Sequence, residues 1–221
     1  MNETLTINQA YLIGAYLGDG SISFVEKYRN YFFSLNAIDK EFVEKVATCL
    51  EEYYEKKPAV FLDRSGGGWA KRGTKPLWKV VVYGKEKCQA LRDITHDKRV
   101  IPQVIFESDD KCQKAFIAGI MDSEGYVGKH YNKTTDRTQY LMGIASTDVW
   151  LEDFIQLLEK HGVKCGKRYR EKQIKPWHKP KFRYKINTMS WIKSGCYFTI
   201  CRKNERLNDY LKNLSPQRLH A

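Results

Sequence analysis

Apolar residues along this chain recur with two spacings. In "KEFVEKVATCLEEYY" (Lys40–Tyr54) and "VWLEDFIQLLEKHG" (Val149–Gly162) they return every three or four positions, which predicts two amphipathic helices. Asp39 and Asp148 stand where an N-cap belongs, and Gly162 stands where the second helix should close. Two stretches rich in aromatic and β-branched residues precede each helix: Ile22–Tyr28 and Tyr31–Asn36 in one case, Tyr126–Tyr131 and Tyr140–Ala145 in the other. Two further strand-like runs follow each. Ala59–Arg64 and Leu77–Tyr83 flank "SGGGWAKRGTKP", while Lys164–Glu171 and Lys181–Asn187 flank "KQIKPWHKP". A shorter helix then closes each set, over Lys85–Ile94 and Ser190–Phe198.

A matching segment opens each set. "YLIGAYLGDGSIS" and "FIAGIMDSEGYVG" share a glycine (Gly14, Gly119), an acid (Asp19, Glu124) and a closing glycine (Gly20, Gly125), all 105 residues apart. That offset also aligns the strands and helices that follow, so internal duplication is the simplest account. The expected fold is α+β, with two pseudo-symmetric αββαββα halves at 1–100 and 101–221. Each half is a saddle-shaped antiparallel sheet covered by helices, and the halves join at the two motif helices. Thr95–Asp110 links them, with Ser108 or Asp109 capping the second motif helix.

Small residues lie four apart in each motif, Gly14 with Gly18 and Gly119 with Ser123, and so share a helix face. Two such faces can bring helix backbones together. The helix ends would then set Asp19 beside Glu124. A carboxylate at a helix C-terminus opposes the helix dipole by about 0.3–1 kcal/mol, and two close carboxylates repel. Divalent cations reverse the sign of both effects. Oxygen ligands without histidine suit Mg²⁺ or Mn²⁺, and a metal held beside a phosphate supports phosphodiester hydrolysis.

The charge balance agrees with a polyanionic partner. The net charge is +12 and the pI about 9.3. From Lys164 to Lys185 ten Lys or Arg residues face one acid, Glu171. Along "KFRYKINT", Lys181, Arg183 and Lys185 alternate with Phe182, Tyr184 and Ile186, and Arg168, Arg170 and Lys172 alternate around Tyr169. In the first half Ser21, Ser23, Val25 and Lys27 are expected to share a face, and Arg64, Arg72, Lys75 and Lys79 flank the glycine-rich hairpin. Together with Lys129, the polar members of these sets are the expected DNA contacts. The six cysteines form no CxxC pair, no secretory leader is evident and no apolar run reaches about 20 residues, so an intracellular protein with reduced thiols is expected.

From about Ile7 to Leu214 the chain resembles the LAGLIDADG homing endonucleases of the single-chain, two-motif type. The resemblance implies a monomeric, site-specific endonuclease that hydrolyses double-stranded DNA at a long asymmetric target. It implies Mg²⁺ or Mn²⁺ held by Asp19 and Glu124, with the carbonyls of Gly18 and Ser123. It also implies a lysine late in each half, near the metals. Lys98 and Lys203 fit, each 79 residues after its acid. The sixth motif position, often aspartate in the family, is Leu17 in one half and Asp122 in the other. Two alternatives share the scaffold: a maturase acting on intron RNA, and a catalytically inactive DNA-binding protein.

Overall fold

The computed structural model describes residues 5–63, 76–133, 136–147, 149–171 and 180–213. Arg64, Arg72, Lys75, Asp148 and Lys172 lie outside the described residues. The chain begins with α1 (Ile7–Leu17), started by a capping box between Thr6 and Gln9. Then come β1 (Ser21–Val25), β2 (Asn30–Ala37), α2 (Lys40–Tyr54), β3 (Ala59–Asp63), β4 (Leu77–Tyr83) and α3 (Lys85–Ile94). After α4 (Gln103–Glu107) the order repeats with α5 (Asp110–Ser123), β5 (Gly125–Asn132), β6 (Arg137–Ser146), α6 (Leu151–Lys160), β7 (Tyr169–Arg170), β8 (Phe182–Lys185) and α7 (Thr188–Ser194). Helix α8 (Cys201–Lys212) ends the described chain. Both sheets are antiparallel and have one topology, β1-β2-β4-β3 and β5-β6-β8-β7. The molecule is thus an α+β fold of two pseudo-symmetric halves.

Several boundaries depart from expectation for identifiable reasons. The first strand stops at Val25, where a 3-10 turn over Glu26–Tyr28 closes on Arg29 at φ 46°. Lys27 therefore leaves the face shared by Ser21 and Ser23. Strand β7 shrinks to two residues, with Cys165 making an isolated bridge to Ile186. Gly195, at φ 73°, ends α7 well before Phe198. Helix α6 starts at Leu151, after Trp150, whereas Asp109 caps α5 by accepting from the Cys112 N–H. Asp39 occupies the N-cap position of α2 without accepting from a helix N–H. Helix α8 escaped the apolar pattern because it buries little beyond Lys203 and Leu207.

One face of each sheet lies under helices. Phe33, Leu35, Val80 and Val82 are buried on the first sheet, and Val127, Met142, Ile144, Tyr184 and Ile186 on the second. The halves meet where α1 crosses α5. A Cβ added to Gly14 would stand 2.3 Å from the Phe116 carbonyl oxygen and 3.0 Å from the Ile120 nitrogen. One added to Gly119 would stand 2.3 Å from the Tyr11 oxygen and 2.9 Å from the Ala15 nitrogen. These neighbours are helix backbone and cannot swing aside. The surrounding Tyr11, Ala15, Phe116 and Ile120 are fully buried, so the seam belongs to the core.

Gly14→Ala and Gly119→Ala should each destabilise the fold by at least about 2–3 kcal/mol, the range of forced overpacking. Gly128→Ala, whose Cβ would meet nothing nearer than 3.8 Å, is the control. Thermal unfolding of the three variants checks this; equal midpoints would show that the helices can separate at no cost.

Candidate active site

Each motif helix delivers an acid to the seam. Helix α1 ends at Leu17, Gly18 caps it through its N–H to the Gly14 carbonyl, and Asp19 follows. Helix α5 is capped by Glu124 itself, whose N–H reaches the carbonyls of Ile120 and Met121. Gly18 makes the approach of the two ends possible. A Cβ there would lie 2.3 Å from the Ser123 Cβ and 3.5 Å from the Glu124 Cγ. The Glu124 side chain thus rests against the peptide that precedes Asp19. The two motif helices thus bring their C-terminal ends into contact, at Gly18 and Ser123.

Both late lysines reach the helix ends, by different routes. Lys98 Nζ donates to the carbonyls of Gly18 at 2.7 Å and Gly20 at 3.2 Å, on either side of Asp19. It does so from a turn in which His96, Asp97 and Lys98 are all left-handed (φ 45°, 55° and 67°). Such conformations cost non-glycine residues of order 1 kcal/mol or more and are held where the surroundings over-determine them. Lys203 Nζ instead donates to Met121 and Asp122 carbonyls, both at 2.7 Å, from the first turn of α8. Each ammonium sits at the negative end of one motif helix, and this offsets the cost of placing a carboxylate there. Equal spacing from the acids concealed two unlike backbones.

Lys203 is 4% exposed. Burial pushes its pKa down to about 8, against the opposing pull of Asp122. Asp19 keeps an open side toward solvent yet is hemmed in by protein. That crowding raises its pKa, while Lys203 and then Lys98 pull it down. A cavity of about 270 Å³ opens beside it, lined by Asp19, Ser123, Tyr126, Lys203 and the Asp39–Arg202 pair.

Several supporting residues take roles that the sequence did not signal. Asp122 is buried, and its carboxylate accepts from the Tyr11 hydroxyl at 2.7 Å and from the Thr199 hydroxyl and N–H. It therefore ties α1, α5 and the chain entering α8; the matching Leu17 makes ordinary core contacts. Asp39 turns away from its own helix to receive both Arg202 nitrogens at 3.0 and 2.7 Å, and this holds its pKa below the usual range. Glu41 accepts from the Cys201 N–H at 3.0 Å. First-half acids thus dock the start of α8, which carries Lys203.

The sheet faces opposite the helices redraw the expected DNA contacts. Paired residues on neighbouring strands point the same way. Ser21, Ser23 and Lys79 fall on the outer face of the first sheet, with Ser34 and Asn36. Lys181, Arg183 and Lys185 alternate with Phe182 and the buried Tyr184 and Ile186, as the pattern implied. Three of the named residues lie off this outer face. Lys129 pairs with Tyr140 on the helix side and bonds Asp209 of α8 at 3.0 Å. Arg170 pairs with Phe182, so it shares that residue's face, and Tyr169 takes the outer one beside Arg183. Arg168 stacks 3.6 Å from the Phe182 ring centroid and bonds Glu152 of α6 at 2.9 Å. The missed outer-face residues are Tyr126 and His130, which share the parity opposite Val127.

Among the described residues no cluster of three or more His, Cys, Asp or Glu could hold a metal. The ends of the crossing helices carry one carboxylate each, Asp19 and Glu124, with the last helix carbonyls close by. That oxygen set fits a hard cation such as Mg²⁺, which binds through one or two carboxylates and keeps several waters.

No protein-family model matches the sequence. A protein of Methanocaldococcus jannaschii, described as uncharacterized, is 25% identical over 93% of this chain and 72% of its own length. Among solved structures, the homing endonuclease I-WcaI bound to its DNA recognition sequence matches with a TM-score of 0.56 at 16% identity, covering 92% of this chain and 87% of that one. The LAGLIDADG homing endonuclease I-GzeII in complex with its DNA target matches at 0.55 and 9% identity, over 96% and 94%. Full-length DUF199/WhiA from Thermatoga maritima matches at 0.53 and 12% identity, over 99% of this chain and 65% of that one. The chain therefore has the LAGLIDADG fold in its single-chain, two-motif form. No helix among the described residues is long and apolar enough to cross a membrane.

A pH test follows from Lys203. Its folded pKa of about 8 lies below the ordinary 10.5, so between those values the unfolded chain binds more protons. The burial penalty is full below about pH 8 and fades as pH rises toward 10.5. Wild-type stability should therefore gain on Lys203→Met by roughly 1–3 kcal/mol between pH 7 and 10. Chemical denaturation at both pH values measures the difference; a constant gap would place the ammonium in water.

Proposed function

We propose that this chain is a divalent-cation-dependent endonuclease that cuts double-stranded DNA at a long asymmetric site. The reading rests on one observation, the meeting of the C-terminal ends of two helices locked backbone to backbone, each of which leads into an acid, Asp19 or Glu124. In this reading the chain divides near residue 100, each half supplies one acid and one sheet, and a single chain makes the complete site.

Asp19 and Glu124, with the Gly18 and Ser123 carbonyls, would hold the cation, whose charge would neutralise the acids and the reacting phosphate. Lys98 and Lys203 fix the helix ends and keep positive charge beside the scissile group. Asp39 and Glu41 hold α8, and so Lys203, in position. The outer faces of the sheets, carrying Ser21, Ser23, Lys79, Lys181, Arg183 and Lys185, would lie in the major groove on either side of the cut.

One observation favours a second reading. The Lys98 ammonium sits on the Gly18 carbonyl, a position a cation would contest. A DNA-binding protein that does not cut would need no such competition.

One experiment separates the readings. A randomised duplex pool is incubated with Mg²⁺ and the ends of cut molecules are sequenced. The wild type should cut a discrete site. Asp19→Asn and Glu124→Gln should each lose cleavage by at least about 10³-fold while retaining binding. Binding to an enriched sequence with no cut by the wild type would establish the second reading, and an affinity for intron RNA above that for DNA would establish a maturase.

Asp39→Asn should lower the cleavage rate by about tenfold or more, with little change in DNA affinity, because it frees α8 rather than the DNA face. Wild-type rates in this variant would show that the ion pair with Arg202 plays no part in positioning Lys203.

A further inference from the structure

The outer faces of the two sheets have the same topology and opposite chemistry. Among the described residues of the first, the rows read Val25–Asn30, Ser23–Phe32–Tyr83, Ser21–Ser34–Val81–Ala59, Asn36–Lys79–Phe61 and Leu77–Asp63. They carry hydroxyls, two amides, one carboxylate and hydrocarbon, with Lys79 the one cation on these rows; the Asn36 Oδ1 is buried with no partner among the described residues. The Phe32 and Tyr83 rings lie 5.6 Å apart across the face. Tyr83 and Phe61 are 42% and 45% exposed, so this hydrocarbon is open to a ligand.

The second sheet replaces this lining with nitrogen cations. Its rows include Tyr126–Gly143–Lys185 and Ala145–Arg183–Tyr169, beside Gly128–Leu141 and His130–Gln139, with Lys181 and Glu171 continuing the last two strands on the same face. The small central residues make room for long neighbours: a Cβ on Gly143 would stand 2.6 Å from the Tyr126 hydroxyl. Arg183 is held rather than loose. Its guanidinium lies 5.2 Å from the Tyr126 ring centroid and is paired with Glu171, while its buried Nε finds no acceptor among the described residues.

Base edges differ in the same sense. Arginine and lysine match the paired acceptors of guanine, asparagine matches adenine, and hydrocarbon matches the thymine methyl. Resting on the DNA-binding reading above, we propose that the two halves read unlike base compositions. The β5–β8 sheet selects guanine through Arg183 and Lys185, and the β1–β4 sheet selects A·T pairs through Asn36 and its apolar neighbours. Arg183, oriented by Glu171 and Tyr126, is the principal specificity-determining residue of the second half.

The test uses the full chain carrying Asp19→Asn and Glu124→Gln, so that binding is read without cleavage, with Mg²⁺ and a randomised duplex pool. The selected site should be guanine-rich at one end on one strand and A·T-rich at the other. Adding Arg183→Lys keeps the charge and loses the fork, so it should relax preference at one or two base pairs of the guanine-rich end by roughly 5- to 100-fold. The salt dependence of binding should stay unchanged. Asn36→Ala should act at the opposite end alone. Guanine spread equally over both ends, or an Arg183→Lys site identical to the parent's, would overturn the proposal while leaving the nuclease reading intact. A pool that yields no enriched sequence would defeat both.

Discussion

Two helices can touch backbone to backbone only where neither carries a side chain, and in this molecule that condition is met at Gly14 and Gly119. The crossing sets the distance between the helix ends, and those ends carry Asp19 and Glu124. Because the contact is between carbonyls, amides and bare α-carbons in a dry seam, it has almost no compliance. Position at the acids is therefore inherited from packing several residues away. The sheets follow from the same constraint, since β1 and β5 leave directly from the two ends.

The arrangement concentrates electrostatic conflict. Two carboxylates stand at the negative poles of two helices, and the ammonium groups of Lys98 and Lys203 are bonded to the last carbonyls of the same helices. Each lysine pays down part of the cost of its acid, at the expense of its own burial or of a left-handed turn. Local preference and global geometry disagree at these residues, which is the usual signature of a site held for chemistry rather than stability.

Much of this was legible in the sequence. The 105-residue offset carried the duplication, the small-residue spacing carried the helix crossing, and period-2 alternation carried the face of β8 and the shared face of Ser21 and Ser23 in β1. The losses have physical causes. Alternation gives parity within a strand but not which parity meets the helices, so Arg168 and Arg170 were expected on the outer face, while Lys129 had only its charge to place it. Lys129 and Arg168 found acids on helices, Asp209 and Glu152. Helix α8 buries too few apolar residues to announce itself. Asp39 fitted an N-cap rule so well that its long-range partner, Arg202, was invisible. Three successive left-handed residues near His96 were not legible, since His96 and Asp97 tolerate that conformation only as a weak preference and none of the three is glycine.

The docking of α8 has a consequence for how such a chain can evolve or be rebuilt. The Asp39–Arg202 and Glu41–Cys201 contacts cross from one half to the other, and Asp122 joins Tyr11 to Thr199 across the same boundary. The second half therefore borrows its lysine's scaffold from the first, and the first half carries Leu17 at the position that Asp122 holds in the second. The halves are no longer interchangeable parts. A chimera that grafts either one onto a foreign mate would inherit the glycine crossing yet arrive with α8 unmoored, unless the recipient supplies acids at the places of Asp39 and Glu41.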